Sequence, residues 1–392
     1  MDASLFISRR LRFKGKIAMA SIAISFLVMI IAVSISSGFR HEIREGISSV
    51  SGDIQLLPLN MNLLDETSPI ESDAAYVPYV KDIEGVKSVI PVIYRAGIVR
   101  HNEEIHGVLL KGLPQEYLRF EKPDSVSLAV SIPRRLSELT GIGEGDKMLT
   151  YFIGSKVRAR QFNVVSVYDS MLETDDKLVV FADLSDLQRL NGWSENQVSA
   201  MEIMLDAETR DRMEEKADEV GFAVYSYSSE DDTTVLATSC VSRYPQIFDW
   251  LNLMDFNVLF ILVLMTIVAG FNMISGLLIM LFENISTIGL LKTLGMTNKS
   301  IAKIFLSSSA VLTIKGMAIG NALAIIFCVV QSTTHLLKLN PVNYFVSYVP
   351  VHMDISMILI ADIVAFAAIM LLLLIPCIFI SKIDPAETVR VR

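Results

Sequence analysis

Four long apolar runs, nearly free of charged side chains, divide this sequence unevenly, with one near the start and three after residue 255. Each run can cross a hydrocarbon core of about 30 Å as an α-helix that rises about 1.5 Å per residue. The runs are Ile17–Phe39, Phe256–Phe282, Ile304–Leu337 and Ile355–Ile380. A mostly polar stretch, 40–255, separates the first run from the second. The pattern predicts four transmembrane helices, with a large mixed α/β domain inserted between helices 1 and 2.

Basic residues beside the runs predict the topology. Five of them precede the first run, where the only acid is Asp2; they are Arg9, Arg10, Arg12, Lys14 and Lys16. Basic residues next to a membrane span stay in the cytoplasm. The predicted cytoplasmic segments are 1–16, 283–303 and 381–392, and the predicted outer segments are 40–255 and 338–354. The first run is longer than the apolar core of a cleaved signal peptide, which favours an uncleaved anchor.

The formal net charge of −9 is concentrated in the outer domain, because the predicted cytoplasmic segments are basic. Nucleic-acid binding depends on cationic side chains that neutralise phosphates, so this composition argues against a nucleic-acid partner. Of the three cysteines, only Cys240 lies in the outer domain, which excludes a disulfide within that domain. No Cys/His cluster in the sequence has metal-ligand spacing, so neither a metal nor a cofactor is expected.

The outer domain contains stretches typical of strands and of short helices. Runs rich in Val, Ile, Tyr and Phe predict strands at Asp53–Leu57, Ser88–Val99, Glu104–Lys111, Lys147–Ile153, Gln161–Tyr168 and Lys177–Ala182. Helices are predicted at Ala75–Ile83, Arg134–Thr140, Asp183–Leu190 and Thr209–Val220. We expect two consecutive α/β modules, with a division near Leu113–Lys122.

No arrangement of residues in the sequence indicates a catalytic site. The segment Gly141–Asp146 lacks the spacing of a phosphate-binding loop, and a turn between a helix and a strand explains it better. His101 and His106 flank two glutamates and are interpreted as loop residues rather than as an acid–base pair. The sequence also lacks the nucleotide-binding pattern G-x-x-x-x-G-K-[ST]. The chain itself is therefore predicted to be non-catalytic, and any ATP that drives it binds to another subunit.

Two charged residues lie deep within the third and fourth runs. Lys315 is about 17 Å from the inner end of its run, and Asp362 is about 10 Å from the outer end of its own. A lysine side chain can extend several ångströms along a helix, so we expect a buried Lys315–Asp362 ion pair that orients the two helices. Proton transfer is the alternative role. Small residues four apart, at Gly316, Gly320 and Ala324, predict close helix packing, within this chain or against another subunit.

The short segment between the second and third runs is too apolar for a free cytoplasmic loop. Ile285, Ile288, Leu291 and Leu294 recur at helical spacing, and Gly295 stands where a glycine would end the helix. An amphipathic helix at a membrane surface must bury its apolar face in lipid or in a groove of a partner. The sequence therefore predicts a docking helix here.

Several motifs together carry a resemblance to a known family. Around the short segment and near the two ends of the chain they are Val268–Gly276, Ile288–Gly295, Ser300–Phe305, Ser37–Ile43 and Ile383–Val389. In the outer domain they are Ile142–Lys147, Phe162–Asp169 and Lys177–Ala182. On these motifs the chain resembles the FtsX-like permeases of ABC transporters, most closely the lipoprotein-releasing LolC/LolE type, which is related to MacB. The resemblance extends over almost the whole chain.

The resemblance implies a dimer of identical or homologous permease subunits, driven by separate ATPase subunits. It also implies that 40–255 is a MacB-like periplasmic core domain and that the docking helix couples to the ATPase. The implied coupling residues are Glu283, Ile285, Ile288, Gly289, Leu291, Lys292, Leu294 and Gly295. The family usually has basic residues and a glutamate in the first turn, where this chain has Ile285, Ser286 and Thr287. The ion pairs to the ATPase are therefore left open.

The function that the resemblance implies is ATP-driven release of lipoproteins from the bacterial inner membrane for transfer to the outer membrane. We expect a slot for acyl chains at the outer halves of the first two helices, lined by Met29, Val33, Leu259, Val263 and Ile267. Further expected partners are membrane lipids and a periplasmic carrier. One family subunit has a long carrier-binding loop where this chain has only Ile153–Arg160. MacB-like export of periplasmic substrates and FtsX-like regulation of cell-wall hydrolases are the alternatives.

Overall fold

The computed structural model describes most of the chain. The described residues are 16–59, 69–101, 104–118, 120–123, 126–153, 157–169, 178–230, 232–340, 344 and 346–378. The predicted tail 381–392 and the predicted N-terminal segment, apart from Lys16, lie outside them. The chain divides into two compact units. We call them the helical unit (Met1–His41, Trp250–Lys338 and Tyr348–Arg392) and the sheet unit (Glu42–Asp249 and Leu339–Ser347).

Helices make up most of the described part of the helical unit and flank the strands of the sheet unit. In chain order the α-helices are α1 (Lys16–Ser51), α2 (Val77–Lys81), α3 (Arg134–Thr140), α4 (Leu184–Asn191), α5 (Met213–Tyr227), α6 (Cys240–Arg243), α7 (Pro245–Glu283), α8 (Ile285–Thr293), α9 (Asn298–Thr334), α10 (Ile355–Leu372) and α11 (Leu374–Cys377). Within the described ranges, four segments are long and apolar enough to cross a membrane, namely α1, α7, α9 and Ile355–Cys377. The prediction of four apolar helices is confirmed.

The bounds of these helices differ from the predicted ones for physical reasons. Helix α1 continues to Ser51 as a single helix. Helix α7 starts at Pro245, where a proline is tolerated because the first helical N–H has no partner inside the helix. The fourth apolar run is not one helix, since α10 ends at Leu372 and α11 follows Leu373. Pro376 explains this break, because a proline ring clashes with the carbonyl group four residues before it, here that of Leu372.

The strands form one large mixed sheet and one small pair. In chain order they are β1 (Ile54–Pro58), β2 (Ile70–Glu71), β3 (Val86–His101), β4 (Glu104–Leu113), β5 (Ala129–Pro133), β6 (Lys147–Phe152), β7 (Arg158–Tyr168), β8 (Leu178–Asp183), β9 (Gln197–Val198), β10 (Ala200–Leu205) and β11 (Val235–Ser239). In the part of the chain that the structure describes, the large sheet has nine strands in the order β11-β1-β10-β3-β4-β8-β5-β7-β6. The pairs β4–β8 and β5–β7 are parallel, and the other pairs of the large sheet are antiparallel.

Strand β3 lies between β10 and β4 in the large sheet, and it also pairs with β6, the last strand in that order. Its first half, Val86–Val92, pairs with β10, and its second half, Ile93–His101, pairs with β4. Strands from before and after Leu113–Lys122 are neighbours in this sheet, since β4 pairs with β8. The expected division into two consecutive modules near Leu113–Lys122 is therefore wrong. Strand pairing, rather than order along the chain, therefore determines which residues belong to the sheet unit.

Each unit has its own apolar core. In the sheet unit the core includes Ile90, Val92, Tyr94, Val179, Phe181 and Ala200. In the helical unit, residues of α1, α7, α8, α9 and α10 share one core. Gly316 and Gly320 bring α9 close to α1, because a Cβ atom on Gly320 would lie 2.4 Å from the Ala23 carbonyl oxygen. The small residues of α9 thus pack within this chain, which was the first of the two expected arrangements.

Candidate functional site

Helix α8 is the segment predicted to couple this chain to an ATPase. It occupies Ile285–Thr293, and only Asn284 separates it from α7. Ile288 is fully buried in the core of the helical unit, and Leu291 and Met296 pack against the same core. One side of α8 is therefore anchored to the long helices of its own chain.

The other side of α8 presents apolar side chains to the surface. Leu294 is 75% exposed and Leu290 is 56% exposed, whereas Ile285 is about one-third exposed. The predicted apolar face is thus divided, because Ile288 and Leu291 contact the core of their own chain while Leu294 does not. Among the remaining predicted coupling residues, Gly289 is buried, Lys292 is half-buried, and Glu283 and Gly295 are exposed. Leu290 was not predicted, although its spacing of four residues from Leu294 places both on one side of the helix.

The end of α8 has the geometry that a glycine allows. Gly295 has a φ of +87°, in the left-handed region that residues with a Cβ atom rarely adopt. Its N–H donates to the Lys292 carbonyl oxygen at 3.0 Å, and the Met296 N–H donates to the Leu291 carbonyl oxygen at 3.0 Å. These two bonds form a Schellman motif, which satisfies the last carbonyl groups of the helix. Gly295 therefore fixes the direction in which the chain leaves α8.

The five residues predicted to line an acyl-chain slot differ in exposure. Met29 and Val33 are buried, and Met29 belongs to the core of the helical unit. Leu259, Val263 and Ile267 are exposed. Because they follow one another at intervals of four residues, they form a stripe on one side of α7. Of the five predicted slot residues, the three on α7 are therefore the exposed ones.

The expected ion pair between Lys315 and Asp362 is not formed. The Asp362 carboxylate instead accepts a hydrogen bond from the Asn321 amide nitrogen at 2.5 Å, and Lys315 is exposed. Lys315 precedes Asn321 by about 9 Å along the axis of α9 and lies on another side of that helix. The prediction was wrong because it considered only charged partners, although a side-chain amide can also donate to a buried carboxylate.

A buried polar cluster in the sheet unit holds the C-terminal end of α1. The Lys111 ammonium group lies 2.7 Å from the Glu202 carboxylate and 2.8 Å from the Val50 carbonyl oxygen. Tyr94 donates a hydrogen bond to Glu202, and Gln55 donates to the Tyr94 hydroxyl at 2.8 Å. Burial, together with the charge of Glu202 and the hydrogen bond to it, raises the pKa of Tyr94 well above its ordinary value. The phenol therefore stays a donor, and the cluster positions the last turn of α1.

A second buried carboxylate lies just beyond the end of α1. Asp53 is fully buried and accepts hydrogen bonds from the Ser48 hydroxyl at 2.7 Å and the Leu205 N–H at 2.8 Å. The Arg210 guanidinium group lies 3.3 Å from the same carboxylate. These contacts attach α1 to β10 and to the turn that follows it. Sequence reasoning missed both clusters, since their members lie far apart in the chain and β10 was not predicted.

The connection between β6 and β7 is short. Phe152 at the end of β6 pairs with Arg158 at the start of β7, and residues 154–156 lie outside the described part of the chain. Strand β7 therefore begins before the predicted Gln161. The connection is shorter than the predicted Ile153–Arg160.

Two other segments weighed for chemistry have structural explanations. Gly141 has a φ of +70° after α3, and the Asp146 carboxylate accepts a hydrogen bond from the Gly143 N–H at 2.9 Å. The interpretation of Gly141–Asp146 as a turn is confirmed. His101 and His106 lie in the paired strands β3 and β4 rather than in a loop, so that part of the prediction is wrong.

Comparison with known protein families covers both units. Residues 17–221 match the family described as MacB-like periplasmic core domain, and this match includes more than half of the chain. Residues 259–385 match the family described as FtsX-like permease C-terminal.

Curated relatives match over nearly their full length. The chain is 23% identical to the lipoprotein-releasing system transmembrane protein LolC of Neisseria meningitidis, over 96% of this chain and 94% of the relative. It is 22% identical to the LolE protein of Haemophilus influenzae, over 95% of this chain and 93% of the relative. The chain is also similar to the solved periplasmic region of MacB from Actinobacillus actinomycetemcomitans. This match covers 52% of this chain and 97% of the MacB region, at 14% identity and a TM-score of 0.34.

Proposed function

Since this chain belongs to the family that carries a MacB-like periplasmic core domain together with an FtsX-like permease region, we propose that it is the permease subunit of an ABC transporter that releases lipoproteins. The observation that carries this proposal is the similarity to LolC and LolE over nearly the whole chain. The proposed machine extracts a lipid-anchored protein from the inner membrane and passes it on for transfer to the outer membrane.

In this proposal the chain does not hydrolyse ATP itself. Separate ATPase subunits bind the nucleotide and grip α8 from the cytoplasm. The exposed residues Leu290 and Leu294 support this role. Covering apolar side chains with a partner removes them from water, which is favourable. Ile288 and Leu291 support the second half of the role, since they connect α8 to the core of the helical unit.

We propose that the acyl chains of the cargo contact the exposed stripe of α7. Leu259, Val263 and Ile267 give this stripe an apolar surface that can replace the lipid around an acyl chain. Met29 and Val33 lie behind the surface rather than on it, so their role is to support the shape of the slot. The polar part of the cargo then faces the aqueous side, where the sheet unit is proposed to act.

The proposed location is the inner membrane, with the sheet unit in the periplasm and both chain termini in the cytoplasm. The basic segments beside the apolar runs support this orientation. A second permease subunit, identical or homologous, completes the transporter. The short connection between β6 and β7 favours a subunit that does not itself carry the long carrier-binding loop.

The test begins with the intact complex purified from its native membrane. Mass spectrometry should find an ATPase, a second permease and acylated proteins bound to it. The complex is then reconstituted into liposomes with an acylated protein, and ATP-dependent release into the aqueous phase is measured.

Matched variants connect the release assay to the proposed slot. Val263→Asn should reduce release several-fold, because it places a polar group on the α7 stripe. Val329→Asn is the control, since Val329 is similarly exposed on α9. A complex that lacks an ATPase, or equal release by both variants, would contradict the proposal.

A further inference from the structure

Within the helical unit, the side chain of Asp362 on α10 contacts the side chain of Asn321 on α9. Asp362 is only 8% exposed. One of its oxygens, Oδ2, accepts a hydrogen bond from the Asn321 Nδ2 group at 2.5 Å. The other oxygen, Oδ1, is buried and has no hydrogen-bond partner among the described residues, and the same is true of the Asn321 Oδ1 atom. The contact therefore leaves one acceptor unused on each side chain.

Both unused atoms, Asp362 Oδ1 and Asn321 Oδ1, are acceptors, which indicates that a hydrogen-bond donor is missing from this contact. A carboxylate has no donor, whereas a carboxylic acid has one O–H group. With a proton on Asp362 Oδ1, the acid presents one donor and one acceptor side by side, as the amide of Asn321 does. The two groups are then complementary, and two hydrogen bonds satisfy all the buried polar atoms of the pair.

Among the described residues, the helices of this unit offer no charge that would stabilise an ionised Asp362. On α9 the only charged residue between Lys303 and the end of the helix is Lys315, which is exposed and lies on another side. Helix α10 has no other charged residue, and α7 has none between Asp255 and Glu283. In the membrane part of α1, the charged residues are Lys16 and Arg40, at its two ends. An uncompensated charge inside a bilayer is costly, and proteins avoid it by pairing or by neutralisation.

We propose that Asp362 carries a proton in the membrane and binds Asn321 through two hydrogen bonds, so that this pair is a proton-binding site joining α9 to α10. The proton sits on Asp362 Oδ1, and this O–H group donates a hydrogen bond to Asn321 Oδ1, while Asn321 Nδ2 donates one to Asp362 Oδ2. Loss of the proton breaks the first bond and leaves a charge between the two helices. The joined state of α9 and α10 therefore depends on protonation. This inference needs only that both helices lie in the membrane and does not depend on the cargo.

Infrared spectroscopy of the full chain, purified with its complex and embedded in lipid, tests the protonation directly. A protonated carboxylic acid has a C=O stretching band above the amide bands, and this band shifts in deuterated water. We expect such a band at neutral pH in the wild type and its loss in Asp362→Asn. Asp255→Asn is the control, since Asp255 forms an ion pair with Arg40 and its replacement should leave the band unchanged. Absence of the band in the wild type, or its persistence in Asp362→Asn, would overturn the proposal.

Thermal unfolding of the same variants tests the two-bond geometry. Asp362→Asn keeps one donor and one acceptor and should unfold within a few degrees of the wild type. Asp362→Leu and Asn321→Leu should both unfold at clearly lower temperatures, because each leaves the other polar group buried without a partner. The wild type should also lose thermal stability at alkaline pH, whereas Asp362→Asn should not lose it there. An Asp362→Asn variant as unstable as Asp362→Leu, or as sensitive to alkali as the wild type, would contradict the paired arrangement.

Discussion

If α8 docks to an ATPase as proposed, replacing Leu290 and Leu294 together by alanine should weaken ATPase binding while leaving the permease folded. Both side chains lie on the exposed side of α8, so their loss removes little from the core of the chain. Alanine also preserves the helix, since it has the highest helix propensity of all residues. The double variant therefore separates docking from folding.

The expected magnitude follows from how much of each leucine is open to a partner. Full burial of a leucine side chain contributes about 1.5–3 kcal/mol. Leu290 is 56% exposed and Leu294 is 75% exposed, and alanine retains the Cβ atom. If the ATPase covers both side chains, the double replacement removes about 1.5–3 kcal/mol of docking free energy. Since about 1.4 kcal/mol corresponds to a tenfold change in a dissociation constant, ATPase affinity should fall roughly 10- to 150-fold.

The assay measures ATPase binding to the purified permease complex by titration, and thermal unfolding of the permease in parallel. Two variants serve as controls. Leu236→Ala changes a leucine of the sheet unit that is also 56% exposed, and it should alter neither quantity. Ile288→Ala changes a fully buried residue of α8 and should lower the stability of the permease by about 2–5 kcal/mol. Unchanged ATPase binding by the Leu290/Leu294 double variant would refute the docking of this face.

Three further changes test the structure. Gly320→Leu should lower the thermal stability of the purified chain by about 1–3 kcal/mol, because its side chain would collide with the backbone of α1, whereas Ala318→Leu on the exposed side of α9 should be tolerated. Lys111→Met should cost about 3–5 kcal/mol in chemical unfolding, since it leaves the Glu202 charge buried, and adding Glu202→Leu should recover part of the loss. In a chain whose other cysteines are serines, Cys240 should react slowly with maleimide at pH 8 until the protein is denatured; burial, with Asp53 adding to it, raises the pKa of this thiol to about 12. Fast labelling of the folded chain would contradict the conclusion that Cys240 is buried and protonated.

Elements with local boundary signals could be predicted from the sequence. Helix α3 spans the predicted Arg134–Thr140 because Pro133 precedes it and Gly141, with a positive φ, follows it. Helix α8 likewise ends at Thr293, two residues before Gly295, the glycine that the sequence marks. In both cases the residues that set the boundary are adjacent to the helix, so no knowledge of the rest of the fold is needed.

Elements that depend on distant partners could not be predicted. Strand β10 has the sequence Ala-Met-Glu-Ile-Met-Leu and is buried on both faces. It therefore shows no alternation of apolar and polar residues, and it is not rich in β-branched residues. Without β10, the partner of Lys111 could not be identified, and the lysine looked like an ordinary strand residue. The failure of the Lys315–Asp362 pair has a similar cause, because only the packing of α9 on α10 shows that Asn321 is the nearer group.

The short distance along the chain between α8 and its neighbours has a mechanical consequence. A single residue, Asn284, joins α8 to α7, and the turn after Thr293 reaches α9 by Asn298. Such brief connections leave no slack, so a displacement of α8 must reach the bases of α7 and α9 together instead of being absorbed by a flexible loop. If α8 docks to an ATPase as proposed, inserting glycines on either side of α8 should therefore leave ATP hydrolysis intact but uncouple it from lipoprotein release.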